Sequence, residues 1–96
     1  MLVLITYDVC TQTEAGKKRL AKVSKQCQNY GQRVQNSVFE CIIDPATLKQ
    51  LQSKLEKIID IETDSLRYYY LGDEWRNRVE HIGAKPSIDL EGPLLV

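Results

Sequence analysis

The hydrophobic positions at the start of the chain predict a β-strand that is covered on both faces. Residues 2–8 read LVLITYD, with apolar side chains at both parities, and the run ends on the carboxylate of Asp8. A strand of this kind belongs in a sheet that is packed on both sides. Asp8 either closes the following turn through an Asx hydrogen bond or is a functional group within reach of water. The residues alone favour the turn.

Apolar residues at helical spacing predict two helices. The first covers residues 14–30, with Thr13 as N-cap and Gly31 as the glycine that ends it. The second begins at Asp44–Pro45, where a carboxylate N-cap precedes proline at the first helical position. Its apolar stripe continues to Ile59.

Alternation and β-propensity predict three further strands. Residues 33–44, RVQNSVFECIID, alternate in hydrophobicity but change phase near Asn36–Ser37. A slip of one residue turns every side chain to the other face, so the phase change predicts a tight turn between strands two and three. A single bent strand is the alternative. Residues 65–71, SLRYYYL, form the fourth strand.

The order β-α-β-β-α-β predicts an α+β fold of the ferredoxin-like kind, an antiparallel sheet with two helices on one face. We assign residues 1–72 to this domain and residues 73–96 to a C-terminal tail that docks on a neighbour. Within the tail, DEWRNR suggests one helical turn and VEHIG a short strand. The second sheet face is also apolar, and a twofold homodimer would cover it.

Composition restricts the function classes. With 43% hydrophobic and 27% charged residues, the 96-residue chain is an ordinary globular domain. The first apolar run is too short for a signal-peptide core or a membrane span, which predicts a cytoplasmic protein without membrane contact. Residues 1–43 carry six basic and three acidic side chains, whereas residues 44–96 carry seven and ten. This asymmetry is either chance or a sign of an anionic partner for the first half.

Few residues are candidates for catalysis or metal binding. Cys10, Cys27 and Cys41 are widely spaced without a C-x-x-C motif, which predicts free thiols in a reducing compartment rather than a zinc site. The single histidine, His81, is expected to be structural. One candidate carboxylate per chain, Asp8, is too little for acid–base catalysis by two carboxylates.

A twofold axis between two protomers would bring a second carboxylate to the site. If two protomers meet at the ends of their first strands, Asp8 and its counterpart repel each other unless a cation lies between them. Mg²⁺ accepts one or two carboxylates and keeps several waters. Such an ion activates a water and stabilises charge on a phosphodiester, so a dimer would supply what one chain lacks.

Several segments carry a resemblance to a known family: VLITYDV, GKKRLAKV, RVQNSVFE, YYYLG and VEHIGAKPSIDLEGPLLV. The chain resembles the small, universal CRISPR-associated protein that accompanies the spacer integrase. The resemblance implies a ferredoxin-like fold whose late strand packs on the partner protomer of a homodimer. It implies a Mg²⁺- or Mn²⁺-dependent endonuclease that takes part in spacer acquisition and antiviral defence. The implied partners are the integrase subunit, double-stranded DNA and single-stranded RNA.

The resemblance also implies roles for individual residues. Asp8 would hold the metal, with Tyr7 beside it as a second catalytic residue. Nucleic-acid contacts would come from the basic residues of helix one, from strand two and from the aromatic after S-V, namely Lys17, Lys18, Arg19, Lys22, Arg33 and Phe39. Taken without the resemblance, the lysines are a solvated helix face and Phe39 is a core residue.

Two other functions remain as alternatives. The first is a non-catalytic scaffold that binds double-stranded DNA and bridges integrase dimers; it needs the same homodimer and differs only in the role of Asp8. The second, less favoured, is an RNA-binding module with exposed aromatic side chains on the open sheet face.

Overall fold

The computed structural model describes residues 1–83 of the chain. Its elements within that range are β1 Leu2–Asp8, α1 Glu14–Tyr30, β2 Gln32–Gln35, β3 Val38–Ile42, α2 Pro45–Ile58, β4 Ser65–Gly72 and a 3₁₀ turn at Trp75–Asn77. The strands form one antiparallel sheet in the order β2-β3-β1-β4. This order is the predicted ferredoxin-like α+β arrangement.

Both helices begin at the predicted caps. Thr13 Oγ1 accepts a hydrogen bond from the Gly16 amide at 3.0 Å. Asp44 Oδ1 accepts one from the Thr47 amide at 2.6 Å, and that bond lowers the pKa of the Asp44 carboxyl. Each cap satisfies an amide of the first helical turn that has no partner inside the helix.

The turn between β2 and β3 and the end of α1 both lie where they were predicted. The reason for the glycine at the end of α1 differs from the predicted one. The turn at Asn36–Ser37 separates β2 from β3. Helix α1 ends at Gly31, but the backbone there is extended, with φ at −158°, and is not left-handed. Glycine is required for space, because a Cβ at Gly31 would lie 2.5 Å from both Cys41 Sγ and the Glu40 carbonyl oxygen.

Strand β1 is central in the sheet and separates two unlike faces. Its side chains at Val3, Ile5 and Tyr7 are buried beneath the helices. The core is completed by residues of α1, β3 and α2, including Val23, Cys27, Phe39, Cys41, Leu48, Leu51 and Leu55. On the opposite face, burial decreases along β1 from the fully buried Leu2 to the exposed Asp8. The last residue of this otherwise buried or half-buried strand, Asp8, is therefore exposed to solvent.

The segment after β4 corrects one part of the prediction. The 3₁₀ turn at Trp75–Asn77 matches the expected helical turn, whereas residues 79–83 do not form the predicted strand. A strand needs a hydrogen-bonding neighbour, and the resemblance implies that neighbour in a second protomer. The rest of the predicted tail, residues 84–96, lies outside the described residues. No helix in residues 1–83 is long and apolar enough to cross a bilayer.

Candidate functional site

Asp8 occupies the last position of β1, on the sheet face opposite the helices. Its side chain is exposed, and its backbone pairs with Ser65 of β4. Within residues 1–83 the Asp8 carboxylate makes no hydrogen bond and no ion pair. The Asx-turn interpretation is therefore wrong for the described chain, and both carboxylate oxygens remain open to a ligand.

Tyr7 points in the opposite direction, because neighbouring residues of a strand face opposite sides of the sheet. Its hydroxyl donates to the Asn36 carbonyl oxygen at 3.2 Å, and burial raises the pKa of that hydroxyl. Its ring stacks on Phe39 with the centroids 6.0 Å apart. The predicted place of Tyr7 beside Asp8 is thus corrected: Tyr7 is a core residue that attaches β1 to the β2–β3 turn.

Phe39 is also part of the core. The side chain is completely buried, so neither face of the ring is open to a nucleobase. Base stacking needs an exposed aromatic face, and the predicted nucleic-acid contact of Phe39 is therefore wrong. The core interpretation of this residue is confirmed.

A groove with a volume of about 430 Å³ lies between α1 and the β2–β3 hairpin, and it brings together two predicted phosphate ligands. Lys17 and Arg33 both line it. The Arg33 guanidinium donates to Ser24 Oγ and lies 5.3 Å from the centroid of the Phe39 ring. Lys17 Nζ lies 3.3 Å from Glu14 Oε1 in an exposed pair, which solvent screens. The Arg33 guanidinium is therefore positioned by two neighbouring side chains, whereas the Lys17 ammonium has only an exposed pair with Glu14.

Lys18 and Lys22 extend this basic surface along α1. Both side chains are exposed, and neither forms an ion pair within the described part of the chain. These exposed lysines lie next to the groove that Lys17 and Arg33 line. Together the four side chains provide the positive surface that a nucleic-acid backbone requires. The predicted positions of the lysines on one helix are confirmed, and the contact itself stays a prediction.

Arg19 lies on the same helix but is not part of the basic surface. Its Nε lies 2.8 Å from Asp64 Oδ2, and the Asp64 side chain is completely buried. Arg19 is the largest cause that holds the pKa of the Asp64 carboxyl well below its usual range, with hydrogen bonds from the Cys10 and Asp60 amides adding to it. This ion pair uses two of the three Arg19 guanidinium nitrogens, and the predicted phosphate contact of Arg19 stays a prediction.

Asp64 is the residue that sequence reasoning missed. It lies in a polar turn that also contains Asp60 and Glu62, and nothing in that local pattern marks one of the three carboxylates as buried. Its ion-pair partner lies 45 residues away in the chain. Only the packing of α1 against the start of β4 reveals its role.

The donor set restricts which metal could be held. In residues 1–83 no group of three or more His, Cys, Asp or Glu side chains is placed to hold an ion. One protomer thus offers a single free carboxylate, Asp8, at this end of β1. Mg²⁺ fits such a sparse set because it is commonly held by one or two carboxylates and retains water ligands. An ion that needs several nitrogen or sulfur ligands does not fit.

The sequence and the fold match those of a known family. Residues 1–79 match the family described as CRISPR associated protein Cas2. The chain belongs to the Cas2 family. It is 65% identical over 95 residues to the CRISPR-associated endonuclease Cas2 of Halalkalibacterium halodurans, with 99% of each chain covered. It is 59% identical over 96 residues to the CRISPR-associated endoribonuclease Cas2 of Chlorobaculum tepidum, with 100% of each chain covered.

Solved structures of Cas2 proteins share the fold. The crystal structure of Streptococcus pyogenes Cas2 at pH 6.5 matches with a TM-score of 0.75 and 57% identity, covering 86% of this chain and 100% of that chain. A chain of a partial Cas6–RT–Cas1–Cas2 complex matches with a TM-score of 0.63 and 32% identity, covering 84% of this chain and 89% of that chain. The predicted family and fold class are confirmed.

Proposed function

We propose that this Cas2 protein is a Mg²⁺-dependent endonuclease that acts as a homodimer in CRISPR spacer acquisition, with Asp8 of both protomers at one shared site. The observation that carries the proposal is the position of Asp8, exposed at a strand end and without a side-chain partner in residues 1–83. Relatives named endonuclease and endoribonuclease support cleavage of phosphodiester bonds. The three free cysteines support action in the reducing cytoplasm.

A twofold dimer would supply the second carboxylate. In the described sheet, β4 pairs only with β1, so its outer edge is open to another copy. The face opposite the helices presents Tyr69, a residue that is 45% exposed, beside the half-buried Leu4 and Ile42. Covering this face with a second copy places two Asp8 carboxylates near the axis if the axis passes close to the end of β1.

The chemistry divides between the ion and the chain's own residues. Mg²⁺ bound by Asp8 would supply an activated water and stabilise negative charge on the phosphodiester. Lys17 and Arg33 bind phosphates in the groove between α1 and the hairpin. Because Ser24 and Phe39 already position the Arg33 guanidinium, phosphate binding there costs little conformational freedom. Tyr7 lines the same groove and precedes Asp8, so the groove and the carboxylate lie at the same end of β1, on opposite faces of the sheet.

A non-catalytic scaffold on double-stranded DNA is the second candidate function. It is favoured by the sparse catalytic equipment of the described chain, in which one free carboxylate stands at the site. It is also favoured by the similar chain in a complex that contains Cas1. In this function Lys18 and Lys22 hold the duplex and the integrase docks on the dimer, while the cell does not require cleavage.

The variant Asp8→Asn separates the two functions. We would incubate purified protein with duplex DNA or single-stranded RNA in Mg²⁺, Mn²⁺ or EDTA. Glu56→Gln, a change of the same kind on the exposed side of α2, is the matched control. We expect metal-dependent cleavage by wild type and Glu56→Gln and none by Asp8→Asn. Equal cleavage by Asp8→Asn would overturn the endonuclease, and spacer acquisition that survives this variant in cells supports the scaffold.

A further inference from the structure

The main chain two residues after Asp8 is held from two sides. The Cys10 amide donates a hydrogen bond to Asp64 Oδ1 at 3.0 Å. On the carbonyl side, α1 approaches so closely that a Cβ on Gly16 would lie 1.8 Å from the Cys10 oxygen. Both polar groups of the Cys10 main chain are therefore in fixed contact with other elements of the fold.

Asp64 is itself fixed by several donors. Arg19 Nε lies 2.8 Å from Oδ2, and the Asp60 amide donates to the same oxygen at 2.9 Å. The residue after Asp64 is Ser65, which pairs with Asp8 across β1 and β4. One buried carboxylate thus connects α1, the loop after β1 and the start of β4. We call Gly16, Arg19, Asp64 and the Cys10 main chain the Cys10 clamp.

We infer that Arg19 and Asp64 are positioning residues for the Asp8 metal site and that Arg19 does not bind nucleic acid. The inference rests on the proposed function of Asp8. Since the Asp8 side chain has no partner within residues 1–83, the backbone is what fixes the Cα position from which its carboxylate extends in one protomer. A held backbone lets two carboxylates meet one ion with little loss of conformational freedom.

The ion pair with Asp64 makes a phosphate contact by Arg19 unfavourable. Its Nε and Nη2 both face Asp64, and only 20% of its side chain is exposed. If the guanidinium left Asp64 to reach a phosphate, Asp64 would remain in a fully buried position as a carboxylate without its cation. Breaking a buried pair in this way is strongly unfavourable.

The test compares Asp64→Asn and Arg19→Gln with Leu55→Ala, a core variant in α2 that lowers stability without touching the clamp. Four quantities are measured on the full chain below its unfolding transition: Mn²⁺ affinity by water-proton relaxation, kcat and KM for cleavage, the salt dependence of nucleic-acid binding, and amide exchange at Cys10. In both clamp variants we expect Mn²⁺ affinity and kcat to fall by about 10- to 100-fold, with KM and the salt slope unchanged. Exchange at Cys10 should be faster than the loss of global stability accounts for. In Leu55→Ala it should rise by no more than that loss, and the other three values should not change per folded molecule.

Two results would overturn the inference. Unchanged Mn²⁺ affinity and kcat in Asp64→Asn would show that the clamp only stabilises the fold. A salt slope reduced by about 0.7 to 0.9 in Arg19→Gln would show that Arg19 contacts a phosphate after all. Asp8→Asn tells the two proposals apart: if it retains wild-type Mn²⁺ affinity, the proposed function and the inference both fail. If it loses Mn²⁺ and the clamp variants do not, the inference alone fails.

Discussion

Arg19 Nε lies 2.8 Å from Asp64 Oδ2, and this ion pair attaches α1 to a fully buried carboxylate beside the start of β4. The guanidinium, together with backbone hydrogen bonds, holds the pKa of the Asp64 carboxyl well below its ordinary value of 3.8. A carboxyl whose pKa is lower in the folded than in the unfolded state stabilises the fold above its unfolded pKa. That contribution is lost as the pH falls toward the folded pKa.

We expect acid to destabilise wild type more steeply than Asp64→Asn, which has no carboxyl to protonate at this position. At neutral pH the variant should be less stable by about 2 kcal/mol, because buried donors lose a charged acceptor. The difference should shrink below about pH 4 as wild type approaches protonation of Asp64. Urea unfolding at a series of pH values measures this, with Glu62→Gln in the same turn as control. Parallel curves for wild type and Asp64→Asn would contradict ionisation of Asp64.

Gly16→Ala should destabilise the protein although alanine is the better helix former. The new Cβ would lie 1.8 Å from the Cys10 oxygen, and a backbone atom cannot move aside without shifting α1. We expect a loss of about 2 kcal/mol, a typical cost of overpacking, in thermal or urea unfolding. Ala21→Gly, at an exposed position of α1, is the control and should cost about 1 kcal/mol through helix propensity. A stabilised Gly16→Ala protein would show that the close approach at Cys10 is wrong.

Asp8→Asn should strengthen the proposed homodimer when no divalent cation is present. Two carboxylates near a twofold axis repel each other, and the amide removes that repulsion. In EDTA we expect the dissociation constant of the variant dimer to be about tenfold lower than that of wild type. In Mg²⁺ the order should reverse, because only the carboxylates gain from the ion. Sedimentation equilibrium in both buffers measures the constants, and equal values in both would place the two Asp8 side chains far apart.

Phe39→Leu should affect folding and leave nucleic-acid affinity unchanged. The ring is fully buried against Tyr7, so its loss leaves a partly filled space in the core. We expect a stability loss of about 1 to 2 kcal/mol. Binding of single-stranded RNA by the folded protein, measured by fluorescence anisotropy, should stay within about twofold of wild type. A selective loss of RNA affinity without loss of stability would show that Phe39 contacts the RNA.

The three thiols should differ in reactivity. Burial raises the pKa of Cys27 and of Cys41 to about 12, so neither forms a thiolate at neutral pH. Cys10 is only half-buried. Because the thiolate is the reactive form, we expect one thiol per folded chain to react promptly with a disulfide reagent and three after denaturation. Cys10→Ser should abolish the prompt reaction, and a second prompt thiol in wild type would contradict the burial of Cys27 and Cys41.

Local patterns in the sequence were sufficient for the four strands and two helices of residues 2–72, although they also predicted a strand at residues 79–83 that does not form. Side-chain capping at Thr13 and Asp44 acts within three residues, so the starts of both helices could be read directly. The phase change at Asn36–Ser37 likewise required a turn because strand parity is strict. The strand–helix order then restricted the fold to very few arrangements.

The identity of the exposed and buried polar groups was decided only by tertiary packing. Asp8 and Asp64 are both acidic residues near a strand end, yet one faces solvent and the other is enclosed by donors from three segments. Arg19 could not be told from the neighbouring lysines, because its partner lies 45 residues away. Sequence periodicity specifies which face a residue occupies within its own element. What that face meets depends on contacts between distant segments, and those form only when the sheet and helices pack together.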